Sequence, residues 1–238
     1  MLRGPFVLLL LLLSPASAED FSIVSWNIHK GSRLERVLEE FRSPELSKAS
    51  LFALQEVLTE PGFRQQERFP GEAHAVGRDV IVSRWEIADR GEVLVNPATG
   101  RRAAWADVRS PEGREARLYS LHLSYKIGRD PFVPHIRAAE MRAVLDHADA
   151  YPGPVIVAGD FNTVRWFVCC GRGAPLLRLM ENRGYRDALA AAGVACNSQH
   201  IAGTVDWIFV KGLKPESAAC GRYAGSDHKW IEARVSFK

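Results

Sequence analysis

The chain has 238 residues, of which 47% are hydrophobic, 25% charged and 9% aromatic. Those are globular proportions and exclude a disordered, collagen-like or coiled-coil protein. Lys and Arg number 31 against 28 Asp and Glu, so the formal charge of +3 does not by itself argue for a nucleic-acid partner.

The first element is a leader. Arg3 supplies a positive charge, Phe6 to Leu13 is continuously apolar, and Ala16-Ser17-Ala18 is a small-residue cleavage signature. This layout predicts an export signal over residues 1–18 and a single mature domain over residues 19–238, secreted or periplasmic. The apolar run is far shorter than the roughly 20 residues of a membrane helix, so no integral span is expected. Export makes disulfides available to Cys169, Cys170, Cys196 and Cys220. Bridging the adjacent pair requires a strained ring, so the expected pattern ties Cys169 and Cys170 each to Cys196 or Cys220.

In chain order, Phe21 to Trp26 reads as a strand that ends at Asn27, followed by a helix with Leu34, Val37, Leu38 and Phe41 at helical spacing. Leu51 to Leu54 is a short buried strand running into Gln55 and Glu56. Val80 to Val82, Ala103 to Val108 and Leu118 to Leu123 read as further strands. A helix marked by Ile136, Ala139, Met141 and Val144-Leu145 follows, then the strand Val155 to Ala158 running into Gly159-Asp160. Leu176 to Met180 suggests a helix, and Val205 to Val210 and Trp230 to Val235 close the chain as strands. With no repeat or linker between them, these elements predict one α/β domain in which sheets are covered by helices.

The polar residues fall at the strand ends. Asn27, Glu56, His122, Asp160 with Asn162, Asp206, and Ser226-Asp227-His228 each stand at the exit or entry of an apolar strand. Carboxylates beside apolar runs are costly to bury unless they are paired, hydrogen-bonded or metal-bound. Repeated at several strand ends, they point to one rim, where α/β sheets bind ligands.

Five motifs occur in order: Ser25-Trp26-Asn27-Ile28, Leu54-Gln55-Glu56-Val57, Gly159-Asp160-Phe161-Asn162, Val205 to Phe209, and Ser226-Asp227-His228. In this the chain resembles the endonuclease/exonuclease/phosphatase superfamily, with the deoxyribonuclease I-like fold, from Phe21 to Val235. Weaker echoes are Val82-Ser83-Arg84, Arg101-Arg102-Ala103, and Arg137 with Glu140. The resemblance implies a four-layer α/β sandwich, two packed mixed β-sheets flanked by helices. It also implies a phosphoesterase site dependent on Mg²⁺, with Mn²⁺ or Ca²⁺ as other candidates.

By the same resemblance Glu56 is the principal metal carboxylate and Asp227 a second ligand. Asn27 joins the metal set, holding Glu56 or touching phosphate. Asp160 orients or deprotonates the attacking water, Asn162 donates to a phosphoryl oxygen, and Asp206 orients the catalytic His228. His122 donates to the phosphate or assists the leaving group.

His29 stands where many superfamily nucleases carry an acidic ligand, which makes it a candidate phosphate contact. Between Glu56 and Val82 only a short segment remains where relatives have a longer loop, and Lys229-Trp230 follows His228 where a proline often sits.

Arg101, Arg102, Lys126, Arg129 and Arg137 read either as a positive rim around a phosphate or as a solvated face, and Trp166-Phe167 either as local packing or as an aromatic platform for a base or a lipid headgroup. In-line attack on a phosphate ester needs a water nucleophile, charge compensation and a stabilised leaving group, and these residue types supply all three. The expectation is a monomeric phosphodiesterase acting on DNA. A phospholipid or sphingomyelin phosphodiesterase, a phosphatase of the same fold, and an inactive binding module are the alternatives.

Overall fold

The computed structural model describes residues 20–62, 64–125, 133–164, 174–200 and 203–238. The predicted leader, Lys126, Arg129, Trp166, Phe167, Cys169 and Cys170 lie outside them. Twelve strands form two six-stranded mixed sheets. One has the order β11-β12-β1-β2-β4-β3. Its strands are β1 (Asp20–Asn27), β2 (Leu51–Gln55), β3 (Glu72–Val76), β4 (Asp79–Ser83), β11 (Leu213–Cys220) and β12 (Ile231–Phe237). The other has the order β5-β6-β7-β8-β10-β9. It comprises β5 (Glu86–Asn96), β6 (Arg101–Arg109), β7 (Glu115–His122), β8 (Val155–Asp160), β9 (Arg186–Asp187) and β10 (Asp206–Lys211). The helices are α1 (Leu34–Phe41), α2 (Val133–Ala148), α3 (Ala174–Asn182) and α4 (Ala188–Ala191). None of the described helices is long and apolar enough to cross a membrane.

The layers follow from the two-residue period of the strands. Phe21 and Ile23 of β1, Leu51 and Ala53 of β2, Ile156 and Ala158 of β8, and Ile208 and Val210 of β10 meet in one core between the sheets. The alternate residues face outward. Val24, Trp26, Phe52 and Leu54 pack with Val37, Leu38 and Phe41 of α1. Val155, Val157, Trp207 and Phe209 pack with Met141, Val144 and Leu145 of α2 and with Leu176 and Met180 of α3. The result is the expected four-layer sandwich. Each fully buried aliphatic or aromatic side chain contributes about 1.5–3 kcal/mol, which offsets the cost of holding polar groups where the core opens.

Four strands escape the sequence reading: β9, which has only two residues, and three others, each for its own physical reason. β11 carries Pro215 and is an edge strand, with its register broken between Pro215 and Ser217. β3 is the other edge of that sheet. β5 has few buried residues, and its Gly91 lets the Trp105 indole of β6 lie across the backbone, where a Cβ would approach within 2.8 Å.

The disulfide expectation is overturned. Cys196 bonds to Cys220, with Cα atoms 5.7 Å apart. The short helix α4 buries Ala188 and Leu189 in the inter-sheet core beside β11 and β12, and this brings the chain after it to the end of β11.

Candidate active site

The parallel pairs β1–β2 and β7–β8 end on the same side of the sandwich. Inner-face positions continue past the apolar residues as Ile23-x-Ser25-x-Asn27, Leu118-x-Ser120-x-His122 and Ile156-x-Ala158-x-Asp160. β10 runs antiparallel to β8 and enters the rim with Asp206, also an inner-face position. In register, His122 and Asp206 stand opposite Asp160 on either side. Gln55 Nε2 donates to Ser120 Oγ at 3.1 Å, a polar tie between the sheets just below the rim.

Gly159 is required at this point. Its φ is +151°, and a Cβ would lie 1.9 Å from the Leu121 carbonyl oxygen of the neighbouring strand. Four other residues, His29, Lys30, Glu56 and Asn162, are the non-glycine positions of positive φ among the described residues. Left-handed backbone of this kind costs about 1–3 kcal/mol per residue and concentrates at functional sites. Here it turns the chain immediately after β1, β2 and β8 and brings side chains back over the strand ends.

Asn27 is the hub. Its Oδ1 accepts from the His29 backbone amide at 3.0 Å, which orients the carboxamide. Its Nδ2 then donates to Glu56 Oε1 and Asp160 Oδ2, each at 3.2 Å. Asn27 thus bridges two carboxylates and holds Glu56 through Nδ2, while Oδ1 keeps a second lone pair beside the His29 amide.

Asp160 is 2% exposed. Its Oδ1 accepts from the Asn162 amide at 2.8 Å, and its Oδ2 lies 3.5 Å from His122 Nε2 and 3.8 Å from His228 Nε2. Asn162 Nδ2 donates to the Leu123 carbonyl at 3.0 Å.

Asp206, 1% exposed, accepts from His228 Nδ1 at 2.8 Å. Ser198, whose significance the sequence concealed, holds it from behind, with its Oγ accepting from the Val205 and Asp206 amides at 3.2 Å each. Ser226 explains its place in the Ser-Asp-His motif. Its Oγ donates to the Asn27 carbonyl at 2.6 Å and accepts from the His228 amide at 3.0 Å. Trp26 Nε1 closes the turn by donating to the His228 carbonyl at 3.2 Å.

Burial opposes a charge on His228, but the facing Asp206 carboxylate, with Asp160 and Asp227 behind it, outweighs burial and pushes the imidazole up to about 10. The raised value favours the charged ring, whose Nε2 faces Asp160.

Asp160, Asp206 and His228 are the group of potential metal donors that lies tightly together among the described residues, within 4.8 Å of one another. Glu56 joins through Asn27, whereas Asp227 turns toward His29, whose Nδ1 is 3.1 Å from Asp227 Oδ1. Asp206 Oδ1 is buried without a hydrogen-bond partner. An acid-rich, oxygen-donor rim of this kind fits a hard divalent cation.

Asp79, at the entry of β4, was missed. It is a carboxylate beside an apolar strand, the signal used for the others. Its Oδ2 accepts from the His122 amide at 3.1 Å. Burial pushes its carboxyl well above the ordinary range, opposed by the His122 amide and Arg101 and reinforced by Asp160 and Glu56.

The expected cationic rim is redistributed. Arg101 donates to the His122 carbonyl, while Arg102, on the opposite face of β6 from Arg101, pairs with exposed Glu92. Trp166 falls outside the described residues. His200 stacks on Tyr223, with centroids 3.5 Å apart and Lys229 Nζ 5.1 Å from the Tyr223 ring centroid. Gln199, its neighbour, bridges to His228.

The sequence profile described as "Endonuclease/Exonuclease/phosphatase family" matches residues 24–228, from the middle of β1 through the catalytic histidine candidate. The chain belongs to this family. No curated protein sequence matches it at a significant level. Among solved structures, an endonuclease/exonuclease/phosphatase family protein from Bacteroides thetaiotaomicron has a TM-score of 0.74 at 15% identity, covering 93% of this chain and 99% of that one. A mannosyl-6-phosphatase from the same organism has a TM-score of 0.71 at 17% identity, covering 91% and 100%. TDP2 from D. rerio, complexed with single-strand DNA product, has 0.67 at 19%, covering 91% and 99%. These likenesses establish the fold, that of the endonuclease/exonuclease/phosphatase family.

Proposed function

We propose that this protein is an exported, divalent-metal-dependent phosphodiesterase whose substrate is DNA. The observation that carries the reading is the convergence of Asp160, Asp206 and His228 on one rim, with Asn27 linking Asp160 to Glu56. Glu56 and Asp227, with the unpartnered Asp206 Oδ1 beside them, are the carboxylate groups that would hold Mg²⁺, which when bound neutralises phosphoryl charge.

The chain's own residues divide the remaining work. His228, raised in pKa and with Nε2 facing the site, is placed to donate to the phosphoryl group rather than to act as the base. Asp206 holds its tautomer and orientation through Nδ1. That leaves Asp160, anchored by the Asn162 amide on one oxygen, to take the proton of the attacking water through the other. His122 flanks Asp160 on the far side from His228 and is placed to serve the leaving group, and the second amide hydrogen of Asn162 remains available to a phosphoryl oxygen. The stacked His200–Tyr223 pair with Lys229 offers a nucleobase an aromatic face beside a positive charge, which supports nucleic acid ahead of a lipid headgroup.

The test is a panel of plasmid DNA, RNA, sphingomyelin vesicles and mannose 6-phosphate with the purified mature chain, with and without EDTA. Plasmid nicking that is lost with EDTA and in His228→Ala is expected. Inert DNA with turnover of sphingomyelin or of the phosphomonoester overturns the substrate. No turnover of any ester overturns the enzyme and leaves a binding module.

A further inference from the structure

Of the cations near the rim, Arg101 is spent on the His122 carbonyl and Arg102 on Glu92. Arg137 is not spent in this way. It projects from α2, half-buried, and its side chain makes one hydrogen bond among the described residues, from Nε to the Ser124 carbonyl at 2.8 Å. No carboxylate among them is in ion-pair contact with it. Glu140, one turn along the same helix, is already engaged through both oxygens. Its Oε1 accepts from Asn96 Nδ2 at 2.7 Å and from Ser124 Oγ, and its Oε2 accepts from the Ser124 amide at 2.8 Å. The carboxylate whose field Arg137 feels most is Asp160 in the site, ahead of Glu140, and burial works against its charge.

The placement is specific. Consecutive carbonyls after His122 each hold one side chain, Leu123 holding Asn162 Nδ2 and Ser124 holding Arg137 Nε. Arg137 is thus fixed to the segment that leaves the His122 strand end, at the carbonyl one residue beyond the one that holds Asn162. A half-buried guanidinium with unfilled donors lacks the counter-charge that burial ordinarily demands. Its planar fork matches the oxygens of a phosphate better than any other common anion-binding group.

We infer that the free Nη edge of Arg137 is the anion receptor of this site and binds a non-bridging oxygen of the substrate's phosphate group. The inference rests on the phosphoric ester reading above and adds to it a residue that sets affinity. Bound phosphate completes the partner set of Arg137 while Asn162 contacts the same group from the adjacent carbonyl.

The experiment measures calorimetric binding of inorganic orthophosphate to the full mature chain without divalent metal. It compares the native protein with Arg137→Lys, Arg137→Gln and Arg137→Ala. Gln retains a donor for the Ser124 carbonyl but no charge, whereas Lys retains the charge without the fork. Orthophosphate binding is expected to weaken by about tenfold or more in Arg137→Gln and Arg137→Ala and by less in Arg137→Lys. The same order is expected in KM for a thymidine p-nitrophenyl phosphodiester, with the change falling in KM rather than in kcat.

Native-like phosphate binding by Arg137→Gln, loss in Arg137→Lys as complete as in Arg137→Ala, or no phosphate binding by the native chain overturns the inference. Binding is read without turnover, so the two claims fail separately. Arg137-dependent phosphate binding in a protein that hydrolyses no ester would sink the proposed function alone. Hydrolysis with phosphate affinity and KM indifferent to Arg137 would sink this inference alone.

Discussion

Replacing Asp206 with Asn keeps the shape of the dyad and removes its charge. In the native site His228 Nδ1 donates to Asp206 Oδ2 at 2.8 Å, and the imidazole is held at about 10 against the opposing effect of burial. Without that carboxylate the ring falls back to about 6.5 or below, because burial then acts with less opposition. At about pH 8 the imidazolium fraction drops from about 99% to about 3%, a loss of about thirtyfold from protonation alone. An Asn also presents either end of its amide to Nδ1, so tautomer and orientation are no longer enforced. Together these place the expected fall in kcat within about 10²–10⁴-fold, the range for a positioned acid or base. The assay is the rate of a chromogenic phosphodiester from about pH 5.5 to about pH 10. The variant should recover as pH falls through about 6.5, whereas the native enzyme should hold its His228-dependent rate up to the alkaline end. A variant with the native profile and kcat within about threefold would refute the reasoning.

Four further outcomes are expected. Since the folded-state value of His228 is raised, its contribution to stability is fully present below about 6.5 and is lost as pH rises through about 10. Thermal melts should therefore fall across that window in the native protein and fall less in His228→Asn. Gly159→Ala should abolish soluble folded protein or activity, because its Cβ meets the Leu121 carbonyl at 1.9 Å and neither strand can give; circular dichroism and expression yield check this. Reducing the Cys196–Cys220 bridge, which closes a separation of 24 residues, should cost about 3.5 kcal/mol in urea unfolding. It should also slow hydrolysis, since the Thr204 hydroxyl and the Ser198 carbonyl tie the Cys196 segment to Asp206 and Lys229. Asn27→Asp replaces the donor shared by Glu56 and Asp160 with a third carboxylate, and kcat should drop by at least about a hundredfold with the fold intact by near-ultraviolet dichroism.

Much of the site was legible because strand period carries direction. In Ile23-x-Ser25-x-Asn27 and Ile156-x-Ala158-x-Asp160 the polar residue continues the parity of the inward-facing ones, so a buried strand end and a site residue are one signal. Parity misleads at β6: Arg102 shares the inward parity of Ala104 and Ala106 yet pairs with exposed Glu92, whereas Arg101, of the outward parity, reaches the His122 carbonyl. Asp79 carried the same signal as Asp206, a carboxylate opening an apolar strand, and was passed over because no motif marked it. Ser198 and the Cys196–Cys220 pairing were illegible for another reason. Both depend on where a loop after α4 returns to the rim, and long-range closure leaves no local pattern. The edge strands β3, β5 and β11 were hidden because half-exposed residues need no apolar run.

The most direct test of a single cation-holding pocket is the anomalous difference map of crystals soaked in Mn²⁺. The expected result is a peak bonded to Glu56, with further oxygen ligands drawn from Asp206 and Asp227, and its loss in Glu56→Gln. A protein that takes up no Mn²⁺ at this rim, or binds it only at sites remote from Glu56 and Asp160, would contradict the central claim.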